Sequence, residues 1–288
     1  MSGPRRSGRG HVRGVVALLG AFGAVVAVVP ITMAASVQAS TGPATSMQAP
    51  VELAMLPRVV KPTGAITVSA AASLMDVFPR VGAAFQRRYP GTTVTFNFAG
   101  SSTLVSQVLA GAPVDVVATA SEPTMWKART AGAVNQPQLF ARNSMIIAVP
   151  PGNPARIRSV ADLGRPGLLI GMCDVSVPCG AAARDVLAAA DVQLTPVTRE
   201  LDVRALLSKV MSGELDAGIV YVTDVKAVGP TKVGSIAIPQ LLNVTTTYPI
   251  ASVRSSGNPV TAQAFVDYVR SSPSAQGLLR AYGFQRYW

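Results

Sequence analysis

The chain has 288 residues, of which 49% are hydrophobic and 14% are charged, and its formal net charge is +11. This length allows two domains, each with its own core. The positive charge favours anionic partners, but aromatic residues make up only 6% and no run of Lys and Arg is interleaved with them. The composition therefore does not predict a nucleic-acid-binding protein.

The first 39 residues have the composition of an export signal. Arg-rich residues 1–13 precede an apolar run at 15–30, and small residues follow as far as Ala39. An uncleaved membrane anchor is the alternative, because the run is at the short end for a membrane span. We predict an extracytoplasmic protein of the periplasm or cell envelope, cleaved after Ala39 or anchored by its leader. Residues 40–62, rich in Ser, Thr, Ala, Pro and Met, are predicted to be a flexible tether.

From residue 63 onward, strand and helix patterns alternate. Apolar alternation and short apolar runs predict strands at 66–70, 93–97, 114–119, 144–149, 168–172, 217–221, 235–238 and 247–253. Helical spacing predicts helices at 74–89, 103–110, 121–131, 181–190, 204–211, 260–270 and 274–282. Pro79 falls inside the first of these helices, which predicts either a bend or a later start.

This alternation predicts α/β architecture with parallel sheets. The chain leaves the first unit after 142 and returns at 247, which predicts two lobes joined by two crossovers. We assign 63–142 plus 247–288 to lobe 1 and 143–246 to lobe 2. A ligand is expected in the cleft between the lobes.

Two predicted strands end at serines that precede helices. Ser73 follows the first strand, and Ser101 and Ser102 follow the second. The first N–H groups of a helix have no partner inside it and carry partial positive charge, so both places suit an anion. The alternative is that Ser73 only caps its own helix, with Asp76 completing a capping box.

Cys173 and Cys179 are the only cysteines of the chain. In an exported protein they predict a disulfide closing a small loop before a helix, with two free buried thiols as the alternative. The single histidine, His11, lies in the leader, which argues against Ser-His-Asp and Cys-His catalysis and against histidine-ligated metals. No phosphate-binding glycine motif is present, and the carboxylates are dispersed. Binding without catalysis is the better interpretation.

Five segments together resemble a known family. ITVSAAASL, FAGSSTLVSQVLAGAPVDVVATAS, VPCGAAARDVL, LDVRALLSKVMSGELDAGIVYVTD and LLRAYGF are similar to the extracytoplasmic molybdate-binding proteins of bacterial ABC transporters. The resemblance covers about 66–284. It implies the type II periplasmic-binding-protein fold, in which two lobes, each a mixed, mostly parallel sheet flanked by helices, close over molybdate or tungstate.

The resemblance also implies which residues bind the oxyanion. The serine of AASL is Ser73, and the serine of the next turn is Ser101 rather than Ser102. Backbone N–H groups of Cys179 and Val203 and the hydroxyl of Tyr221 complete the set. Taken singly, Val203 is a typical core valine and Tyr221 a typical packing tyrosine.

The expected partners follow from the same resemblance. They are the oxyanion, a membrane permease and a cytoplasmic ATPase, with the binding protein a monomer that needs no cofactor. Two alternatives remain: a receptor for another tetrahedral oxyanion such as sulfate, and, from another class, an envelope hydrolase.

Overall fold

The computed structural model of the chain describes residues 60–288. The predicted export signal at 1–39 and the tether up to residue 59 lie outside the described residues. Within the described part, no helix combines the length and the apolar character needed to cross a membrane. This part folds into nine strands and eight α-helices.

The strands and helices alternate along most of the chain. The strands are β1 (Gly64–Ala71), β2 (Thr92–Ala99), β3 (Val116–Ala118), β4 (Gln138–Val149), β5 (Ile170–Cys173), β6 (Thr198–Glu200), β7 (Ala217–Tyr221), β8 (Gly234–Ala237) and β9 (Thr245–Ser252). The helices are α1 (Phe78–Arg88), α2 (Ser101–Leu109), α3 (Glu122–Thr130), α4 (Pro178–Ala189), α5 (Val203–Met211), α6 (Val222–Val228), α7 (Pro259–Ser271) and α8 (Pro273–Ala281), and short 3-10 helices occupy Ala72–Leu74 and Ala161–Gly164.

The strands pair in the order β2-β1-β3-β9-β4-β7-β5-β6, and β8 also pairs with β4. Strand β4 joins two groups of strands. Its residues 138–144 pair with β9, and its residues 145–149 pair with β7 and β8. The first group is β1, β2, β3 and β9, and the second group is β5, β6, β7 and β8. The predicted lobe boundary after residue 142 falls inside this shared strand, and the division into lobes stays a prediction.

The sheet is mixed rather than parallel throughout. Strands β1, β2 and β3 run parallel to one another, as do β5, β6 and β7. Strands β4 and β9 run antiparallel to their neighbours. This agrees with the mixed, mostly parallel sheets expected from the family resemblance, and the antiparallel pairs lie at β4, β8 and β9.

The predicted elements are present, with shifted ends. Helix α1 begins at Phe78, so the later start suggested by Pro79 is correct, and the proline occupies the first turn, where its missing N–H costs nothing. Strand β4 begins at Gln138 rather than 144, because Arg142 and Asn143 interrupt its apolar pattern. The sequence pattern predicts neither β6 nor α6: β6 is three residues at the sheet edge, and α6 is seven residues directly after β7.

Aromatic rings connect the core of the first strand group to the second strand group. Phe78 packs against Phe140 and Phe265, with ring centroids 5.8 and 6.3 Å apart. Tyr248 on β9 continues this contact, with its ring 6.2 Å from that of Phe140 and 6.0 Å from that of Tyr221 on β7. The packing therefore fixes two tyrosines from different strand groups side by side.

Candidate ligand-binding site

A small cavity lies where the carboxyl ends of strands from both groups meet. It is lined by residues 71–73, 100–101, 120, 177–179, 201–203 and 221. The space open to the centre of a water-sized sphere is about 20 Å³. One water needs roughly 10–15 Å³ by the same measure, so the cavity suits a very small ligand.

The cavity has two walls, which we name by their hydroxyl groups. The serine wall is residues 71–73, 100–101 and 120, which follow β1, β2 and β3. The tyrosine wall is residues 177–179, 201–203 and 221, which follow β5 and β6 or end β7. All five predicted binding residues line the cavity.

On the serine wall, Ser73 lies within the 3-10 helix and makes no capping hydrogen bond. The alternative that Ser73 only caps its own helix is therefore wrong. Its buried Oγ lies 2.9 Å from the Tyr248 hydroxyl. Ser101 is the first residue of α2, and its Oγ accepts a hydrogen bond from the Ala120 N–H at 3.0 Å.

Ser102, the less favoured alternative to Ser101, does not line the cavity. Its hydroxyl donates to the Ser176 carbonyl at 2.7 Å and so bridges the two strand groups. The groups also meet at Gly100, where a Cβ atom would collide with the Leu201 carbonyl oxygen. A glycine is needed here for this close approach of two backbones.

The tyrosine wall offers two backbone N–H groups at helix starts. In α4, Pro178 has no N–H, and Gly180 and Ala181 both donate to the Val177 carbonyl, so Cys179 carries the first N–H that the helix leaves without a partner. In α5, the Asp202 carboxylate accepts from the N–H groups of Arg204 and Ala205, at 2.8 and 2.9 Å.

Val203 therefore carries the N–H that the Asp202 cap leaves without a partner in α5. Asp202 is the only carboxylate among the described residues that line the cavity. Its Oδ1 is engaged by its own helix. The lining is consequently rich in hydrogen-bond donors.

Cys173 and Cys179 are joined by a disulfide in the structure. The bond links the end of β5 to the first turn of α4, next to the Cys179 N–H. Gly180 lies against the Asp174 carbonyl so closely that a Cβ atom would collide with it. This part of the tyrosine wall is thus held by a covalent link and by tight backbone packing.

Tyr221 contributes the third donor of the tyrosine wall. It is 1% exposed, and its hydroxyl has no hydrogen-bond partner among the described residues. Burial, together with the nearby Tyr248 and Asp224, raises the pKa of Tyr221 well above 10.0, so the phenol keeps its proton. A buried hydroxyl without a partner is costly and points to a ligand that completes it.

Behind Tyr221, three charged groups form a network. The Asp224 carboxylate is buried and accepts from the Tyr221 N–H at 3.1 Å. Arg204 Nη1 lies 3.9 Å from Asp224 Oδ1 and 3.1 Å from Asp76 Oδ2 of the first group. Burial raises the pKa of Asp224 to about 7, although Arg204 opposes the shift.

Sequence reasoning missed four residues around the cavity. Tyr248 and Asn143 support Ser73, and Arg204 and Asp224 lie behind Tyr221. Asn143 and Tyr248 lie on the two connecting strands, β4 and β9, and chain segments that cross between lobes are expected beside the cleft. The position of Asn143 and Tyr248 on these connecting strands is the feature of the sequence that could have identified them. Nothing in the sequence marks Asp224 as buried.

Among the described residues, no group of three or more His, Cys, Asp or Glu side chains could hold a metal ion. The profile of the bacterial extracellular solute-binding protein family matches residues 66–285, which include every segment of the cavity lining. This chain is a member of that family. Solute-binding proteins of this family act outside the cytoplasm, in agreement with the compartment expected from the leader.

Individual relatives agree with this assignment. The molybdate-binding protein ModA of Mycobacterium tuberculosis is 41% identical over 222 residues, which are 77% of this chain and 84% of the relative. Among solved structures, the periplasmic molybdate-binding protein of Azotobacter vinelandii matches with a TM-score of 0.68 at 19% identity, covering 76% of this chain and 98% of that protein.

The sulfate-binding protein SubI of M. tuberculosis also has a similar structure. It matches with a TM-score of 0.66 at 23% identity, covering 78% of this chain and 87% of that protein. At such identities, structural similarity shows the fold alone. Both neighbours are binding proteins. They share the mixed α/β fold described above for this solute-binding protein.

Proposed function

We propose that this protein captures molybdate, and also tungstate, outside the cytoplasm for delivery to an ABC importer. The observation that carries the proposal is that five residues from separate chain segments, Ser73, Ser101, Cys179, Val203 and Tyr221, line one small cavity. We propose that the hydroxyls of Ser73, Ser101 and Tyr221 and the N–H groups of Cys179 and Val203 are the donors. The 41% identity to a protein named for molybdate binding supports the choice of ligand.

The chemistry of the lining suits a dianion without a proton. Molybdate, tungstate and sulfate are fully deprotonated at neutral pH and only accept hydrogen bonds, whereas hydrogen phosphate must also donate one. Asp202 is the one carboxylate among the described lining residues, and its Oδ1 already accepts two backbone hydrogen bonds of its own helix. A protonated oxyanion that does not reach the second oxygen of Asp202 would bury its own donor without an acceptor, which costs about 1–3 kcal/mol.

The number of donors is sufficient for tight binding. Hydrogen bonds to a charged partner contribute about 1.5–3 kcal/mol each. Five of them supply roughly 8–15 kcal/mol, and after an association cost of at least about 4 kcal/mol the upper part of this range corresponds to micromolar to about ten-nanomolar affinity. No catalytic step and no cofactor is needed, and we propose that the protein acts as a monomer on a membrane permease driven by an ATPase.

Calorimetric titration of the purified protein with molybdate, tungstate, sulfate and phosphate tests the proposal. We expect tight binding of molybdate and tungstate, weaker binding of sulfate, and the weakest binding, still measurable at high concentration, of phosphate. Tight binding of sulfate without binding of molybdate would overturn the ligand. Absence of heat with all four anions would overturn the proposed function.

A further inference from the structure

We propose that Tyr248, oriented by Asn143, is a positioning residue that forces the Ser73 hydroxyl to donate into the cavity and so makes the site reject protonated oxyanions. This inference rests on the proposed function and extends it to two residues outside the cavity lining. Neither belongs to the set that the family resemblance implies.

The orientation of the Asn143 side chain is fixed by its neighbours. Its Oδ1 accepts from the Ser144 N–H at 3.0 Å, so its Nδ2 faces the other way. There the two amide protons meet Thr223 Oγ1 at 2.7 Å and the Tyr248 hydroxyl oxygen at 3.3 Å. Asn143 is 1% exposed, so water does not compete for these hydrogen bonds.

The orientation of Asn143 determines the direction of the next hydrogen bond. The amide can only donate to Tyr248, so the phenol must direct its own proton elsewhere. Among the described residues, Ser73 Oγ is the closest hydrogen-bond partner of the phenol, at 2.9 Å, and accepts this proton, although the Tyr221 hydroxyl also lies near the phenol. Tyr248 is fully buried, and burial raises the pKa of its phenol above the ordinary value, so this proton is retained.

Ser73 is the last member of this chain of hydrogen bonds. Because its Oγ accepts the Tyr248 proton, the Ser73 proton is free to point into the cavity that Ser73 lines. The hydroxyl proton of Ser101 is likewise free to point into the cavity, because its Oγ accepts from the Ala120 backbone N–H. A backbone donor cannot be reversed by a side-chain change, so the direction at Ser73 is the adjustable one.

The test compares Tyr248→Phe with the wild type and with Tyr268→Phe. Tyr268 is a buried tyrosine that packs on Phe85 and does not line the cavity, so its variant is a matched control. Each protein is titrated with molybdate and with phosphate in mildly alkaline buffer, where hydrogen phosphate is also a dianion. Thermal unfolding checks that each variant is folded.

In Tyr248→Phe, the Ser73 oxygen loses its donor and can turn to accept the proton of hydrogen phosphate. We expect molybdate affinity to fall about tenfold, the effect of one ordinary hydrogen bond, and the ratio of phosphate to molybdate affinity to rise at least about tenfold. Tyr268→Phe should leave the ratio unchanged. An unchanged ratio in Tyr248→Phe would overturn the inference.

Asn143→Asp provides a second and independent test. A carboxylate at this position accepts the Tyr248 proton, so the phenol oxygen becomes the acceptor for Ser73, and Ser73 then presents a lone pair to the cavity. The added charge repels both dianions alike, so a change in the ratio of their affinities reports the reversed hydrogen bond. We expect a larger rise in the ratio than in Tyr248→Phe, and an unchanged or smaller ratio would contradict the inference.

Different results would overturn the proposed function and the inference about Tyr248. A wild-type protein that binds no molybdate would overturn the proposed function and this inference together. A wild-type protein that binds molybdate tightly, with the same preference retained in Tyr248→Phe and Asn143→Asp, would overturn the inference alone.

Discussion

The serine wall and the tyrosine wall differ in how their buried hydroxyl groups are paired. Ser73 and Ser101 each hold a hydrogen bond from the protein itself. Tyr221 has a buried hydroxyl without a partner among the described residues, and the Asp224 Oδ1 behind it likewise lacks a hydrogen bond. The serine wall is thus preorganised, whereas the Tyr221 hydroxyl of the tyrosine wall is left for a ligand to pair.

This contrast suggests a division of roles. A preorganised wall loses little entropy when an oxyanion arrives, so it supplies affinity efficiently. A wall with an unsatisfied buried hydroxyl is less stable alone, so it is expected to gain stability when the ligand binds. Four predictions, in descending order of expected effect, test this comparison.

Removing one hydroxyl from each wall should have the largest effect. In the double variant Ser73→Ala with Tyr221→Phe, two hydrogen bonds to a charged ligand are lost. We expect molybdate binding to weaken by about 3–6 kcal/mol, roughly a hundred- to ten-thousandfold in the dissociation constant. Calorimetry measures the change, and an affinity equal to that of the wild type would show that other residues bind the ion.

Asp224 should make the tyrosine wall sensitive to pH. Its pKa rises from 3.8 to about 7 on folding, so the folded state binds this proton more tightly than the unfolded state. The stability that this group contributes is present at low pH and is lost as pH rises from about 4 to about 7. Above pH 7 the loss reaches up to about 4 kcal/mol.

Urea unfolding of the wild type and of Asp224→Asn between pH 4 and pH 8 measures this loss. The asparagine stays neutral and can still accept from the Tyr221 N–H. Groups common to both proteins cancel, so the variant should gain stability relative to the wild type as pH rises. The matched change at the exposed Asp185 should show no such trend, and a pH-independent difference for Asp224→Asn would contradict the account.

The disulfide should contribute a smaller amount to the tyrosine wall. Cys173 and Cys179 are the only cysteines in the chain, so titration of unfolded, unreduced protein should detect no free thiol. Closing so short a loop limits the stabilisation, and reduction should lower the free energy of unfolding by about 2 kcal/mol. Two titratable thiols in freshly exported protein would show that the bond does not form.

The smallest effects are changes in the free energy of unfolding, and their signs should differ between the two walls. Without ligand, Ser101→Ala leaves the buried Ala120 N–H unpaired, and we expect a loss of about 1–2 kcal/mol in the free energy of unfolding. Tyr221→Phe removes a hydroxyl that makes no hydrogen bond to residues 60–288, and we expect no change or a gain of up to about 1 kcal/mol. Equal losses in both variants would abolish the distinction between the walls.

The order of elements and the two serine turns were accessible from sequence because they depend on local signals, whereas Cys179, Val203 and Tyr221 came from the family resemblance. A strand such as Ala217–Tyr221 is buried along its whole length and reads as one apolar run. Ser73, Ser101, Cys179 and Val203 follow strands at helix starts. The sequence pattern and the family resemblance therefore identified the residues that the structure gathers around the cavity.

The supporting residues were not accessible in this way, because their roles depend on contacts between distant segments. Tyr248 meets Ser73 across 175 positions of the chain, and Asn143 meets Thr223 across 80. In the sequence, Asp224 is one of several dispersed carboxylates, and only the structure shows that it is buried beside Arg204. Local periodicity carries no information about such pairs.

A crystal structure of the protein grown with molybdate tests the central claim most directly. We predict that the ion lies in the small cavity, with its oxygens about 2.7–3.2 Å from donors of both walls: the hydroxyls of Ser73, Ser101 and Tyr221 and the N–H groups of Cys179 and Val203. Density for the ion outside this cavity, or contacts to one wall only, would contradict the account.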